Sequence, residues 1–160
     1  MATPARVPDD TCVYAIGDIH GCARLLRKLH DAICDDAKAK AASRNVVVYL
    51  GDYIDRGPDS SDVIDLVLAG PRVACERVYL KGNHEALLLQ FLDGECDSQM
   101  WRMNGAGATF RSYGVDVDDC DETCRAALKA EISPAQTAFF RNLQLTHVEG
   151  DYLFVHAGLR

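Results

Sequence analysis

No apolar run in the 160 residues approaches the ~18 needed to cross a bilayer, so nothing reads as a membrane span. The first residues also lack the basic start and apolar centre of a secretion leader. Positive charge is scarce: 17 Lys and Arg stand against 24 Asp and Glu, a net charge of −7. That balance argues against a nucleic-acid binder working by broad phosphate neutralisation. It does not exclude phosphate chemistry, because bound divalent cations reverse the local sign. The seven cysteines show no metal-type spacing and are odd in number. They argue against a disulfide framework and for a reducing, cytoplasmic setting. Cys120 and Cys124, four apart among acidic neighbours, read as one helical face rather than a zinc pair.

What is present is ordinary for a globular chain: 48% apolar residues, 26% charged, and enough length for one domain, 1–160, with a real core. The most informative stretch is Gly51-Asp52-Tyr53-Ile54-Asp55-Arg56-Gly57, which follows the short β-branched run Val46 to Leu50. Two carboxylates and a guanidinium beside buried apolar surface are costly unless a cation or an anionic ligand offsets them. The plain alternative is a solvated turn with Asp55 and Arg56 paired. Two further stretches repeat the pattern: Cys12 to Ile16 ends in Gly17-Asp18-Ile19-His20-Gly21, and Arg77 to Leu80 leads through Lys81 to Gly82-Asn83-His84-Glu85. In open α/β sheets ligands bind beyond the carboxyl ends of the strands. Three such ends side by side put Asp18, His20, Asp52, Asn83 and His84 around one point. Oxygen and imidazole without thiolate suit a divalent metal.

Along the rest of the chain, Met1 to Asp10 reads as a frayed lead-in. Cys22 to Asp36 reads as an amphipathic helix placing Leu25, Leu29 and Ile33, with Leu26 adjacent, on the sheet, and His30 at the surface. Ala37 to Arg44 reads as a connector. Pro58 to Leu68 and Glu85 to Phe91 read as helices, so strands and helices alternate into a largely parallel sheet with right-handed crossovers. Met100 to Thr109, with Trp101, Arg102 and a glycine-rich turn, reads either as a cleft wall or as a core tryptophan over a helix-breaking loop. Asp116 to Asp121 reads as solvated surface. Ser133-Pro134-Ala135-Gln136 is a capping box opening a helix through Leu143. Leu145 to Val148 and Tyr152 to Val155 flank a three-residue loop and form a hairpin, which makes His147 a strand residue. His156, before Ala157-Gly158, repeats the strand-end pattern a fourth time.

GDIHG, GDYIDRG and GNHE, in that order, resemble the signature of the calcineurin-like metallophosphoesterases of the phosphoprotein-phosphatase type. The likeness covers roughly Tyr14 to Gly158. It implies a β-sandwich flanked by helices, in α/β/β/α layers, with the C-terminal strands missing from this chain. It also implies two divalent metals, manganese first, with iron or zinc tolerated by the same donors. Asp18, His20 and Asp52 would hold one, and Asp52, Asn83 and His156 the other. Water bound between them would attack the phosphorus directly. His84 would be the general acid, oriented by Asp55. Arg56, with Asn83, would bind the phosphoryl group, for which a guanidinium fork is well shaped.

The expected substrate is a phosphoserine or phosphothreonine protein or a small phosphoester. Diadenosine tetraphosphate is the second enzymatic reading, and an inactive metal-binding fragment the third. The family pattern continues past Arg160 with another metal-ligating histidine and further strands. The expectations are therefore a weak second metal and an exposed apolar sheet region that favours self-association. Neither nucleic acid nor a membrane is an expected partner.

Overall fold

The computed structural model describes residues 4–116 and 121–158. Three strands, β1 (Thr11–Ile16), β2 (Arg44–Tyr49) and β3 (Glu76–Tyr79), form a parallel sheet in the order β1-β2-β3. Their register pairs Ile16 with Tyr49 and Tyr49 with Tyr79, so all three strands end at one level. Helix α1 (Ala23–Lys40) links β1 to β2, and α2 (Ser60–Ala69) links β2 to β3. Alternation along β2 sorts the core into two faces. Val47 and Tyr49 pack with Ala23, Leu26, Val63 and Ile64, whereas Val46 and Val48 pack with Leu80 and Phe154.

The remaining helices join the Val47–Tyr49 side: α3 (Asn83–Asp93), α4 (Gln99–Met103), α5 (Ala106–Ser112), α6 (Asp121–Glu131) and α7 (Pro134–Arg141). Ser133 caps α7 by accepting from Gln136 N, as its sequence requires. On the other face lies an antiparallel hairpin of β4 (Thr146–Glu149) and β5 (Tyr152–Val155). Its turn is two residues, Gly150-Asp151, rather than three, because Glu149 pairs directly with Tyr152. Arg44 ties the layers together, reaching Glu76 and Glu149 at 2.7 Å each. The described residues thus supply the α/β/β part of the expected layering, with His147 in strand β4.

Several local readings are corrected. The stripe of α1 that faces the core is Leu26, His30, Ile33 and Ala37, while Leu25 and Leu29 are exposed. Steps of four residues drift around a helix of 3.6 per turn, so 25, 29 and 33 do not stay on one face. His30 is buried because Tyr49 Oη lies 2.8 Å from its Nε2 and satisfies it. Burial holds its imidazole below the ordinary range. The helix also runs on through Lys40, since Ala37 is part of the buried stripe. The lead-in is not frayed over residues 4–10: Arg6 N donates to Asp151 Oδ2 at 3.0 Å and Asp151 N returns to Arg6 O at 2.9 Å. Of the acidic stretch, residues 117–120, with Cys120, lie outside the described residues. Asp121 is engaged rather than simply solvated, accepting from Ser98 N at 2.7 Å. Among the described residues no two cysteines are joined in a disulfide.

Candidate metal centre and active site

The three strand ends deliver their motifs into loops that interlock. Ile19 N and His20 N donate to Asp52 O at 3.0 and 2.9 Å, and Gly21 N donates to Tyr53 O at 2.9 Å. Gly57 N in turn donates to His20 O at 3.1 Å. Two glycines make the approach possible. Gly51 has φ +110° and abuts Gly82 N, and a side chain on Gly82 would run into the Asp52 backbone and carboxylate. Positive φ also falls on His20, Asp52, Asp55 and Arg56. Such conformations cost on the order of 1–3 kcal/mol each, and here the loop-to-loop hydrogen bonds over-determine them.

Asp52 sits at the centre, 4% exposed. Its Oδ2 lies 3.7 Å from His20 Nε2, and its Oδ1 lies 3.5 Å from His156 Nε2. Both imidazoles are oriented from behind by carbonyls, which can only accept. His20 Nδ1 donates to Ile54 O at 2.8 Å, and His156 Nδ1 donates to Leu50 O at 2.9 Å. That arrangement leaves each Nε2 with a lone pair pointing at Asp52. His20 Nε2 is buried without any hydrogen-bond partner, and Asp18 Oδ2 stands 3.9 Å from it. Asn83 Oδ1 lies 3.2 Å from His156 Nε2, so two acceptors face each other across that gap when the imidazole is neutral. An orphaned buried nitrogen and opposed lone pairs beside carboxylates are the donor set a divalent cation fits. Two groups of possible ligand atoms lie within 4.8 Å of one another: His20, Asp52 and His84, and Asp18, Asp52 and His156.

His84 differs from the other two histidines in what holds it. Its Nδ1 is 2.6 Å from Asp55 Oδ2, and its Nε2 is 3.3 Å from an Arg56 guanidinium nitrogen. Its backbone N–H, in the first turn of α3, donates to Asp52 Oδ1 at 3.2 Å, where the helix end favours negative charge. Asp55 is fully buried and saturated. Trp101 Nε1 donates to its Oδ2 at 2.7 Å, Thr109 Oγ1 donates to its Oδ1, and its own N–H is shared by Ser60 and Thr109 hydroxyls. The paired-turn reading of Asp55 with Arg56 is therefore replaced: Asp55 turns inward to His84, and Arg56 stays exposed.

Glu85 is a further organiser. Its buried carboxylate accepts from Asp52 N (2.9 Å), Tyr53 N (2.9 Å) and Gly82 N (3.0 Å). Burial pushes its carboxyl up to about 7, while the N–H groups pull the other way.

The structure thus brings Asp18, His20, Asp52, Asn83, His84 and His156 into one cluster, with Asp55 and Arg56 at its side. Sequence reasoning missed the parts played by Glu85, Ser60 and Thr109. It also left Trp101 between two readings. Trp101 is a core residue, fully buried against Phe91 and Phe110, and Gly105 of the same stretch accepts from Arg56 N at 3.2 Å. The one available signal was that a buried indole needs an acceptor for its N–H.

The calcineurin-like phosphoesterase family profile matches residues 13–160. A symmetrical bis(5′-nucleosyl)-tetraphosphatase of Aromatoleum aromaticum is 33% identical over 147 residues, covering 92% of this chain and 44% of that protein. Serine/threonine-protein phosphatase 1 of Salmonella typhimurium is 35% identical over 96 residues, covering 58% of this chain and 38% of that protein. Among solved structures, a metallophosphoesterase from Sphaerobacter thermophilus is 14% identical, with a TM-score of 0.41 over 88% of this chain and 44% of that one. The chain therefore spans less than half the length of these relatives.

Proposed function

We propose, since the chain belongs to the calcineurin-like phosphoesterase family, that its site hydrolyses a phosphoric anhydride in a dinucleoside polyphosphate of the diadenosine tetraphosphate kind. The observation that carries the chemistry is Asp52, whose two oxygens address His20 on one side and His156 on the other. Asp18, His20 and Asp52 would hold one divalent cation, and Asp52, Asn83 and His156 a second. Manganese, iron and zinc all suit these donors, with manganese the first choice. Such a pair of cations supplies an activated water and neutralises phosphoryl charge.

The chain's own residues do the rest. Arg56 is exposed beside the cluster and grips phosphoryl oxygens. Its guanidinium rests on His84 Nε2, and turning to a substrate phosphate releases that nitrogen toward the leaving oxygen. The Asp55 carboxylate holds the His84 Nδ1–H and the ring in place; once Arg56 has turned away, Nε2 takes up a proton from solvent, and that Nε2–H is the proton passed to the leaving oxygen.

The nucleotide substrate is favoured because the tetraphosphatase relative matches 92% of the chain and the protein phosphatase 58%. Phosphoserine and phosphothreonine monoesters form the second reading, supported by the same Asp52–His84–Arg56 geometry. Metal content, and manganese-dependent turnover of diadenosine tetraphosphate against a phosphoserine peptide, separate the two. The expected result is bound metal, higher kcat/KM on the dinucleotide, and loss of turnover on chelation and in His84→Asn. A preference for the peptide reverses the order. Bound metal with no turnover of either leaves a metal-binding part of a longer enzyme.

A further inference from the structure

We infer that a cavity beside Asp18 is a subsite for one heteroaromatic base of the substrate, an inference that rests on the nucleotide reading above. The cavity, about 240 Å³, opens between the loop after β1 and the start of α1. Ile16, Ile19 and Leu26 form its buried floor. Leu25 and Leu29 form a rim that is 55% and 42% exposed. The rim leucines sit one turn apart on an outward helix face otherwise occupied by exposed Arg24, Arg27, Lys28 and Asp31. Apolar surface left open in such a setting marks a contact site rather than unused core.

Three properties select the occupant. Asp18, a proposed metal ligand, lines the same cavity, so the cavity borders the centre that would hold the phosphate chain. Asp18 is also the sole charged residue among the described lining residues, so no Lys or Arg lines the cavity to hold a phosphate. A neutral ring meets, besides Asp18 and Cys22, aliphatic side chains and buries its faces against them. The volume lies below the roughly 300–1,000 Å³ of sites that enclose a drug-sized ligand, which fits one ring system better than a whole nucleotide. The metals and Arg56 would thus read the phosphates, and the Ile16–Leu29 cavity the base.

Turnover is measured on the manganese-loaded chain and the titration on the zinc-loaded chain, zinc being diamagnetic and suited to the same donors. Adenosine is titrated while backbone amide shifts are followed by NMR. KM for diadenosine tetraphosphate and the inhibition constant of inorganic phosphate are measured in the unsubstituted chain and in Leu25→Glu and Leu29→Glu. Both leucines are exposed, so the charge is tolerated by the fold, which a melting curve verifies. Adenosine is expected to shift amides of residues 17–29 first. Each substitution is expected to raise KM about tenfold, the scale at which an apolar pocket discriminates, with kcat and phosphate inhibition within about twofold. Unchanged KM, or phosphate inhibition weakening in step, overturns the subsite. If the unsubstituted chain turns over no dinucleotide, the nucleotide reading fails, and the titration decides the cavity by itself. Shifts abolished by Leu25→Glu retain it as a base-binding site, and absent shifts remove it.

Discussion

Trp101 Nε1 donates to Asp55 Oδ2 at 2.7 Å, on the same oxygen that holds His84 Nδ1 at 2.6 Å, although Trp101 and Asp55 lie 46 residues apart. A fully buried indole thereby fixes the carboxylate that fixes the imidazole. Trp101→Phe keeps most of the apolar volume and removes only the donor. The expected outcome is a loss of about 1–3 kcal/mol in unfolding free energy from an under-satisfied buried carboxylate. A drop of about tenfold in kcat for p-nitrophenyl phosphate, with KM little changed, should accompany it. Urea unfolding and steady-state kinetics report the two effects separately, and wild-type kcat in Trp101→Phe would show that the indole only fills space.

Glu85 gathers three backbone N–H groups from two different loops, those of Asp52, Tyr53 and Gly82. Glu85→Gln is nearly isosteric, yet its amide NH₂ must replace one acceptor oxygen and face at least one N–H. A destabilisation of roughly 2 kcal/mol is expected, about one orphaned donor with its desolvation. Because the Asp52 backbone is one of the three, bound metal per chain should fall as well. Elemental analysis beside a thermal melt would show this. A stable variant with full metal content would mean that the loop is held by other bonds.

His30 provides the pH test. Burial lowers its folded pKa below the ordinary value of about 6.5. Between those two values the unfolded chain binds more protons than the folded one. Stability from this residue is therefore complete above pH of about 6.5 and declines as pH falls toward the lower folded value. His30→Gln, which can still meet the Tyr49 hydroxyl, should show a shallower loss between pH 7 and 5 in urea titrations. Parallel slopes in the two proteins would remove His30 as the cause.

The hairpin carries Val148 and Leu153 directly opposite each other on its outer face, 64% and 47% exposed. A paired apolar patch of this kind on a short sheet favours self-association. Sedimentation velocity should show a concentration-dependent increase in mass that Val148→Lys with Leu153→Lys abolishes. A chain that is monomeric at all concentrations before substitution would contradict this expectation.

The sequence by itself determined the strand ends and the chemistry they carry. Each β-branched run breaks at a glycine and is followed within three residues by Asp, Asn or His, and local steric rules suffice to turn the chain there. Parallel strands ending at one level then place Asp18, His20, Asp52, Asn83 and His84 together, as their order along the chain implied. Ser133 and Gln136 likewise declared the start of α7, since a capping box is satisfied within four residues. What surrounds that chemistry was decided only in three dimensions. The choice of His30 over Leu25 as a core residue depends on a hydroxyl contributed by Tyr49 from the next strand. The anchoring of Asp55 depends on an indole and a hydroxyl brought in by α4 and α5, and that of Asp52 on a carboxylate in α3. A buried polar group must find a partner, but its identity is a property of packing between distant segments, which no local pattern records.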